Sequence, residues 1–393
     1  VTGWHGILKD HQPPRALLDL LLSSSASMVL AGEKLWQFRQ QKATDRPILT
    51  YRFEKLAYRE RLQVWKQFAG DAGAELPLVE LANHFQFTPG QIRDAVYTAR
   101  NIARWENQPL SKHHLLEASR SHSNQNLAEL AKKVTITVGW EDLILPEDPL
   151  TQLKELTNQA RNRPTVHDAW GFGRKLPGRG LSALFTGEPG TGKTMSAGII
   201  AQDLGLDLYK VDLSSLVSKY IGETEKNLDR VFTEANTSNA VLFFDEADSI
   251  FGKRSEVKDS HDRYANLEIS YLLQRVESYD GISILATNMR SNLDEAFTRR
   301  FDFITDFPFP DPGYREKIWQ IHFPSDTPIA DDIDIPLLAT RFRLAGGNIR
   351  KIVLSAAFLA AQDGEPISMQ HMLHAVKREY QKMGRLIEDE LFN

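Results

Sequence analysis

One run of eight residues carries the plainest chemistry in the chain: Gly187-Glu188-Pro189-Gly190-Thr191-Gly192-Lys193-Thr194. The pattern G-x-x-x-x-G-K-[ST] follows the apolar run SALF and opens a helical pattern, the context in which it cradles phosphate. Its glycines permit backbone angles that turn successive N–H groups inward. The helix N-terminus adds its positive end to the same concavity. Lys193 is placed to reach the outer phosphates and the Thr194 hydroxyl to ligate Mg²⁺; Met195, the next residue, is counted with the loop. The competing reading is an ordinary glycine-rich turn, and the residues that follow weigh against it.

Val241–Phe244 is a short apolar run ending in Asp245-Glu246. Two carboxylates therefore stand at the carboxyl end of a buried strand, where ligands bind in open α/β sheets. Asp245 suits Mg²⁺, directly or through water, and Glu246 suits the orientation and polarisation of an attacking water. Asp248 reads as a solvated or structural acid. A further apolar run, SILAT, ends on Asn288, an amide that is costly to bury without a partner. The basic pair Arg299-Arg300 follows; the lesser alternative is a surface pair.

In order, GEPGTGKT, FFDEAD, ILATN and RRFD resemble the module of AAA+ ATPases over about residues 134–393. The resemblance implies ATP and Mg²⁺ as cofactors and hydrolysis of ATP to ADP and phosphate. It implies catalytic roles for Lys193, Glu246, Asn288, Arg299 and Arg300, with Asn288 positioning the lytic water. Arg299 and Arg300 match arginine fingers, which act on a neighbouring subunit's nucleotide; the family works as rings, commonly hexamers. Gly347 and Arg350, in GGNIR, resemble the lid segment with its arginine, which the narrower AAA group usually lacks. Gly171 and Phe172, in GFG, resemble a segment lining the adenine pocket. Ser218-Lys219-Tyr220-Ile221-Gly222 resembles the pore loop with which ring translocases grip polypeptide. Longer stretches, among them WEDLILPEDPLTQLKEL and REYQKMGR, are similar to ATPases encoded with extracellular contractile injection systems. A protein substrate or injection-system component is the implied partner. The alternative is an assembly scaffold switched by ATP, without threading. A monomeric phosphotransferase would have no use for Asn288, the arginine pair and a helical lid together.

These residues need a scaffold. SALF (182–185), LYKVDL (208–213), VLFF (241–244) and SILAT (283–287) read as buried parallel strands. Helical patterns at 193–204, 223–236 and 264–278 alternate with them, which predicts a doubly wound α/β sheet. Beyond about 313 only helical patterns remain, giving a lid. An internal repeat extends the picture. LANHFQFTPGQIRDAV (81–96) matches LATRFRLAGGNIRKIV (338–353), and Tyr58-Arg59-Glu60 with Trp65 pairs with Tyr314-Arg315-Glu316 and Trp319. MVLAGE (28–33) resembles SILATN (283–288). The expected organisation is a remnant of a first AAA-like core (1–52), its helical lid (53–128), an ATPase core (129–312) and a C-terminal lid (313–393). Glu33 stands where the repeat places Asn288, so the first module is not expected to hydrolyse ATP.

Composition sets outer bounds. The 393 residues are 41% hydrophobic and 25% charged, with net charge −5, which is globular and argues against a nucleic-acid coat. With no cysteine there are no disulfides, cysteine-ligated metals or thiol catalysis. No run approaches the roughly 20 apolar residues that cross a bilayer. The expectation is a cytoplasmic protein whose natural start is missing.

Overall fold

The computed structural model describes residues 6, 14–32, 49–53, 56–70, 76–123, 127, 130–175, 180–213, 223–238, 240–247, 260–288 and 295–384. The chain divides into two units, residues 1–54 and 55–393. In the first, helix α1 spans Arg15–Ser23, and Leu49, Tyr51 and Phe53 are exposed.

The second unit begins with a four-helix bundle: α2 (Tyr58–Ala69), α3 (Leu78–His84), α4 (Pro89–Trp105) and α5 (Lys112–Ser123). Thr88 caps α4, accepting from the Gln91 N–H, and Pro89 occupies the first helical position, where its missing donor costs nothing. Trp65, Leu81, Ile92, Ala95 and Leu115 are wholly buried in its core.

A six-stranded sheet follows: β1 (Lys132–Val134), β2 (Leu181–Gly187), β3 (Leu208–Asp212), β4 (Val241–Asp245), β5 (Ile282–Thr287) and β6 (Phe303–Phe307), in the order β1-β3-β4-β5-β2-β6. All pairs are parallel except β1 on β3. Helices α6 (Glu147–Pro164), α7 (Lys193–Asp203), α8 (Glu223–Ser238) and α9 (Ser260–Ser278) cover it. Strand alternation sends Phe185, Phe243 and Ile284 into a core with Leu153 and Ile200, while Leu184, Phe244 and Leu285 pack with Phe232 and Leu272. Both faces are therefore dry, which is why these strands read as unbroken apolar runs. The chain leaves β2 toward β3 on one side and later returns to β6 on the other, so β2 lies at the switch point of the sheet.

After the short helix α10 (Glu295–Thr298) and β6, the lid comprises α11 (Pro312–Ile321), α12 (Ile335–Arg341), α13 (Gly346–Asp363) and α14 (Met369–Lys382). It repeats an arginine contact and a histidine contact of the first bundle. Arg61 donates to the Ala82 and Leu56 carbonyls at 3.1 and 2.6 Å; Arg315 donates to those of Ala339 and Pro310 at 2.8 and 2.7 Å. His114 lies between Ser111 and Glu106, and His371 between Ser368 and Asp363. In each, the serine N–H donates to Nδ1, so the histidine closes the start of its helix. Trp65 and Trp319 are both fully buried. The counterpart of Arg315 is thus Arg61 and not the expected Arg59. Tyr58 and Tyr314 put Arg59 opposite Arg315 in sequence, whereas the carbonyls that each guanidinium reaches put Arg61 there.

The first bundle is fastened to the turn between α7 and β3. Arg120 donates to the Gly205 carbonyl at 2.9 Å and pairs with Asp207 at 3.9 Å. A cleft of about 810 Å³ opens there, lined by Lys112, Glu117, Asp203 and Tyr209 among others, away from the phosphate-loop residues. No helix among the described residues is long and apolar enough to cross a membrane.

Candidate nucleotide site

The phosphate loop joins β2 to α7. Gly190 and Gly192 have φ of 81° and 107°, a backbone that side chains disfavour, and Gly192 is the residue that caps α7. Thr191 donates to the Glu188 carbonyl at 2.8 Å, tying the loop across itself. Glu188, Pro189 and Gly190 are exposed, Thr194 is half-buried, and Met195 packs partly buried against the core below. Lys193 is only 7% exposed, and its ammonium donates to the carbonyls of Gly187 (2.6 Å) and Glu188 (3.0 Å) and to Asn288 Oδ1 (3.0 Å). A buried ammonium needs such acceptors. Asn288, half-buried at the end of β5, is therefore in direct contact with the loop lysine.

Asp245 ends β4, one strand beyond β5. Its Oδ1 accepts from the Glu246 N–H at 3.0 Å. Glu246 is exposed and has φ of 52°, a left-handed backbone unusual for a residue with a Cβ. Such strain persists where the surroundings fix it and clusters at functional sites. The phosphate loop, the amide and the carboxylate pair all lie at the carboxyl ends of β2, β5 and β4.

Arg299 and Arg300 lie at the other end. Arg300's carbonyl accepts from Ser182 Oγ at 3.3 Å, and Asp302 is clasped to Ser182 by its carboxylate, which accepts from the backbone N–H at 2.8 Å and the hydroxyl at 2.9 Å. Ser182 and Gly187 are five residues apart on β2, roughly 16 Å at strand rise. The arginine turn is thus held far from its own chain's loop. Arg299 is exposed; Arg300 is half-buried and pairs with Glu277 at 3.3 Å.

The lid meets the loop through α13. The Gly347 N–H donates to the Gly190 carbonyl at 3.0 Å, and a Cβ added to Gly347 would lie 3.2 Å from Gly190 Cα. Gly347→Val should therefore push the lid outward, at a cost of roughly 1–3 kcal/mol. Calorimetry should record nucleotide affinity weakened by about tenfold, with the fold intact by circular dichroism.

Sequence reasoning missed the residues beside this contact. Leu143 lies against Gly192, whose added Cβ would meet its Cδ1 at 3.6 Å, and Ile144 packs with the lid core. His322, at the end of α11, is half-buried near Asp142, Arg350 and Gly346. Burial above all, and then the Arg350 charge, lower its pKa below the ordinary histidine value. Leu143, in the sheet core, and Ile144, against the lid core, thus stand where the two layers meet. Phe172 opens the short turn Phe172–Arg174, which packs on the π-helical turn Thr165–Ala169, and is 50% exposed; Gly171, with φ of 81°, precedes it. Arg350 is exposed on α13, near His322. The expected pore-loop residues Lys219, Tyr220 and Ile221 lie outside the described residues, as do Asp248 and Glu33.

His322 also predicts a pH effect. Folding lowers its pKa, so the unfolded chain binds more protons as pH falls through the histidine range, and stability must fall with it. Between pH 7 and 5.5 the thermal midpoint should drop more in the parent than in His322→Gln; equal drops would remove His322 from the titration.

Residues 183–309 match the family model "ATPase family associated with various cellular activities (AAA)", and residues 57–125 match "Contractile injection system ATPase helical domain". The chain is 33% identical over 234 residues to proteasome-activating nucleotidase 1 of Halobacterium salinarum, covering 58% of this chain and 56% of that protein. It is 31% identical over 264 residues to the cell division cycle protein 48 homolog of Archaeoglobus fulgidus, covering 66% and 35%. A second nucleotidase 1, from Haloferax volcanii, is 32% identical over 254 residues, covering 62% and 61%. The chain thus spans between about a third and three fifths of the length of these relatives. It thus carries a match to an AAA domain and a match to a contractile injection system ATPase helical domain, a pairing consistent with an AAA+ ATPase of contractile injection system type.

Proposed function

We infer that this chain is the ATP-hydrolysing part of a ring-forming motor that remodels or threads a protein partner, a component of a contractile injection system. The observation that carries this reading is the separation along β2. Gly187 begins the phosphate loop at one end of the strand, and Ser182 anchors the Arg299-Arg300 turn at the other. An arginine side chain cannot span that distance, so the pair serves a nucleotide only if the nucleotide belongs to another copy.

The residues present fit Mg²⁺–ATP. The Gly187–Thr194 loop would hold the phosphates, Leu143, Ile144 and His322 the nucleoside, and Thr194 and Asp245 the metal. Bound Mg²⁺ supplies charge that offsets the triphosphate. Lys193 would neutralise the outer phosphates, Asn288 would hold both Lys193 and the water, and Glu246 would accept the water's proton. Arg299 of the adjoining copy would meet charge developing on the γ-phosphate.

In this reading residues 1–52 belong to a first AAA-like core, 53–128 to its lid, 129–312 to the active core and 313–393 to its lid. Support comes from the matching arginine and histidine contacts of the two bundles. Lys219, Tyr220 and Ile221 would grip the polypeptide. The relatives support a protein partner through their names, one of which is that of a proteasome activator.

Light scattering with and without ATP at micromolar protein tests the assembly. The expected result is a ring several times the 44.6 kDa chain mass when ATP is present. A monomer under all conditions would overturn it. Tyr220→Ala should keep ATPase activity and lose remodelling of an unfolded substrate. Absence of remodelling by the parent would favour the ATP-switched scaffold instead.

A further inference from the structure

β3 brings a cation to the carboxylate pair that no motif announced. Lys210 Nζ stands 2.5 Å from Asp245 Oδ2. The other oxygen of the same carboxylate accepts from the Glu246 N–H at 3.0 Å. One aspartate thus links the Lys210 ammonium to the left-handed backbone of Glu246.

The strand register explains the arrangement. Asp212 lies opposite Asp245, Phe243 opposite Lys210, and Lys132 of β1 opposite Lys210 on the other side. Lys210 reaches diagonally to the carboxylate two residues beyond its own partner Phe243. Two carboxylates side by side at the strand ends repel, as do two lysines, so the diagonal pair relieves both. The partners are 38% and 21% exposed, so the pair is partly shielded from water. A charge-assisted hydrogen bond of this kind is short and directional.

We propose that Lys210 is a positioning residue: it holds Asp245 in the rotamer that pins Glu246, and it competes with Mg²⁺ for Asp245 Oδ2. The proposal rests on the reading of Asp245 as a metal ligand. It assigns Lys210 two opposed effects. Its charge raises the Mg²⁺ concentration that the site requires, because a cation stands where another must come. Its hydrogen bond raises turnover, because Glu246 keeps its geometry.

The test is a Mg²⁺ titration of fluorescent ATP-analogue binding, run beside steady-state kinetics, for the parent, Lys210→Met and Lys210→Arg. In Lys210→Met the half-saturating Mg²⁺ should fall by roughly fivefold, since a like charge is removed nearby, while kcat also falls. Lys210→Arg should return both toward the parent. General damage to the site would weaken Mg²⁺ and turnover together. A Mg²⁺ midpoint in Lys210→Met that is unchanged or higher overturns the proposal. If Lys210→Met does not fold, Lys210→Gln is titrated against the same criterion. A parent whose nucleotide binding ignores Mg²⁺ overturns the reading of Asp245 itself, and the proposal with it.

Discussion

Glu246→Gln is expected to bind ATP as the parent does and to turn it over roughly 10²–10⁴-fold more slowly. The substitution keeps the size of the side chain and removes the proton acceptor. Glu246 donates only its backbone N–H to Asp245, and its side chain is exposed at the strand end, so folding should not change. The left-handed backbone at Glu246, φ of 52°, is a property of the main chain that glutamine can adopt at similar cost. The measurement is phosphate release at saturating ATP, with nucleotide affinity by calorimetry on the same sample. Turnover at the parent rate would remove Glu246 from the chemistry. Loss of binding together with turnover would give it a structural role instead.

Arg299→Ala is expected to cost roughly 10³–10⁵-fold in kcat, the range for a finger acting on developing phosphate charge, with nucleotide affinity nearly unchanged. Arg299 is exposed on the turn, so removing it leaves no buried cavity. Arg300→Ala should also lower turnover, but it breaks the pair with Glu277, so part of its effect should appear as a lower thermal midpoint. Mixing separates a finger from a local fault. Arg299→Ala chains retain Glu246, and Glu246→Gln chains retain Arg299, so a mixture of the two forms some sites complete in both. Phosphate release from the mixture should exceed the sum of the separate rates. A mixture that gives only the sum would mean that Arg299 does not act across chains.

Much of this site was legible in the sequence because its strands are dry on both faces. β2, β4 and β5 have nearly every residue buried, so each read as an apolar run with its functional residue at the end. β1 and β6 were not legible. β1 is the three-residue edge KKV, mostly exposed, and β6 is FITDF, whose Ile304 and Asp306 face outward. The Arg61–Arg315 correspondence was also hidden, since it rests on which carbonyls each guanidinium reaches. Leu143, Ile144 and His322 belong to no motif, and they come from two distant segments of the chain. Lys210 looked like one charge in a strand, and only the register set it diagonal to Asp245.

The central claim is that one nucleotide is worked on by two copies of the chain, and the direct measurement is ATP turnover per chain across protein concentration, with Mg²⁺ and ATP saturating. The account predicts almost no activity at high dilution, rising steeply and then levelling once the chains assemble. Turnover per chain that stays constant at dilutions where sedimentation finds only monomer would contradict it.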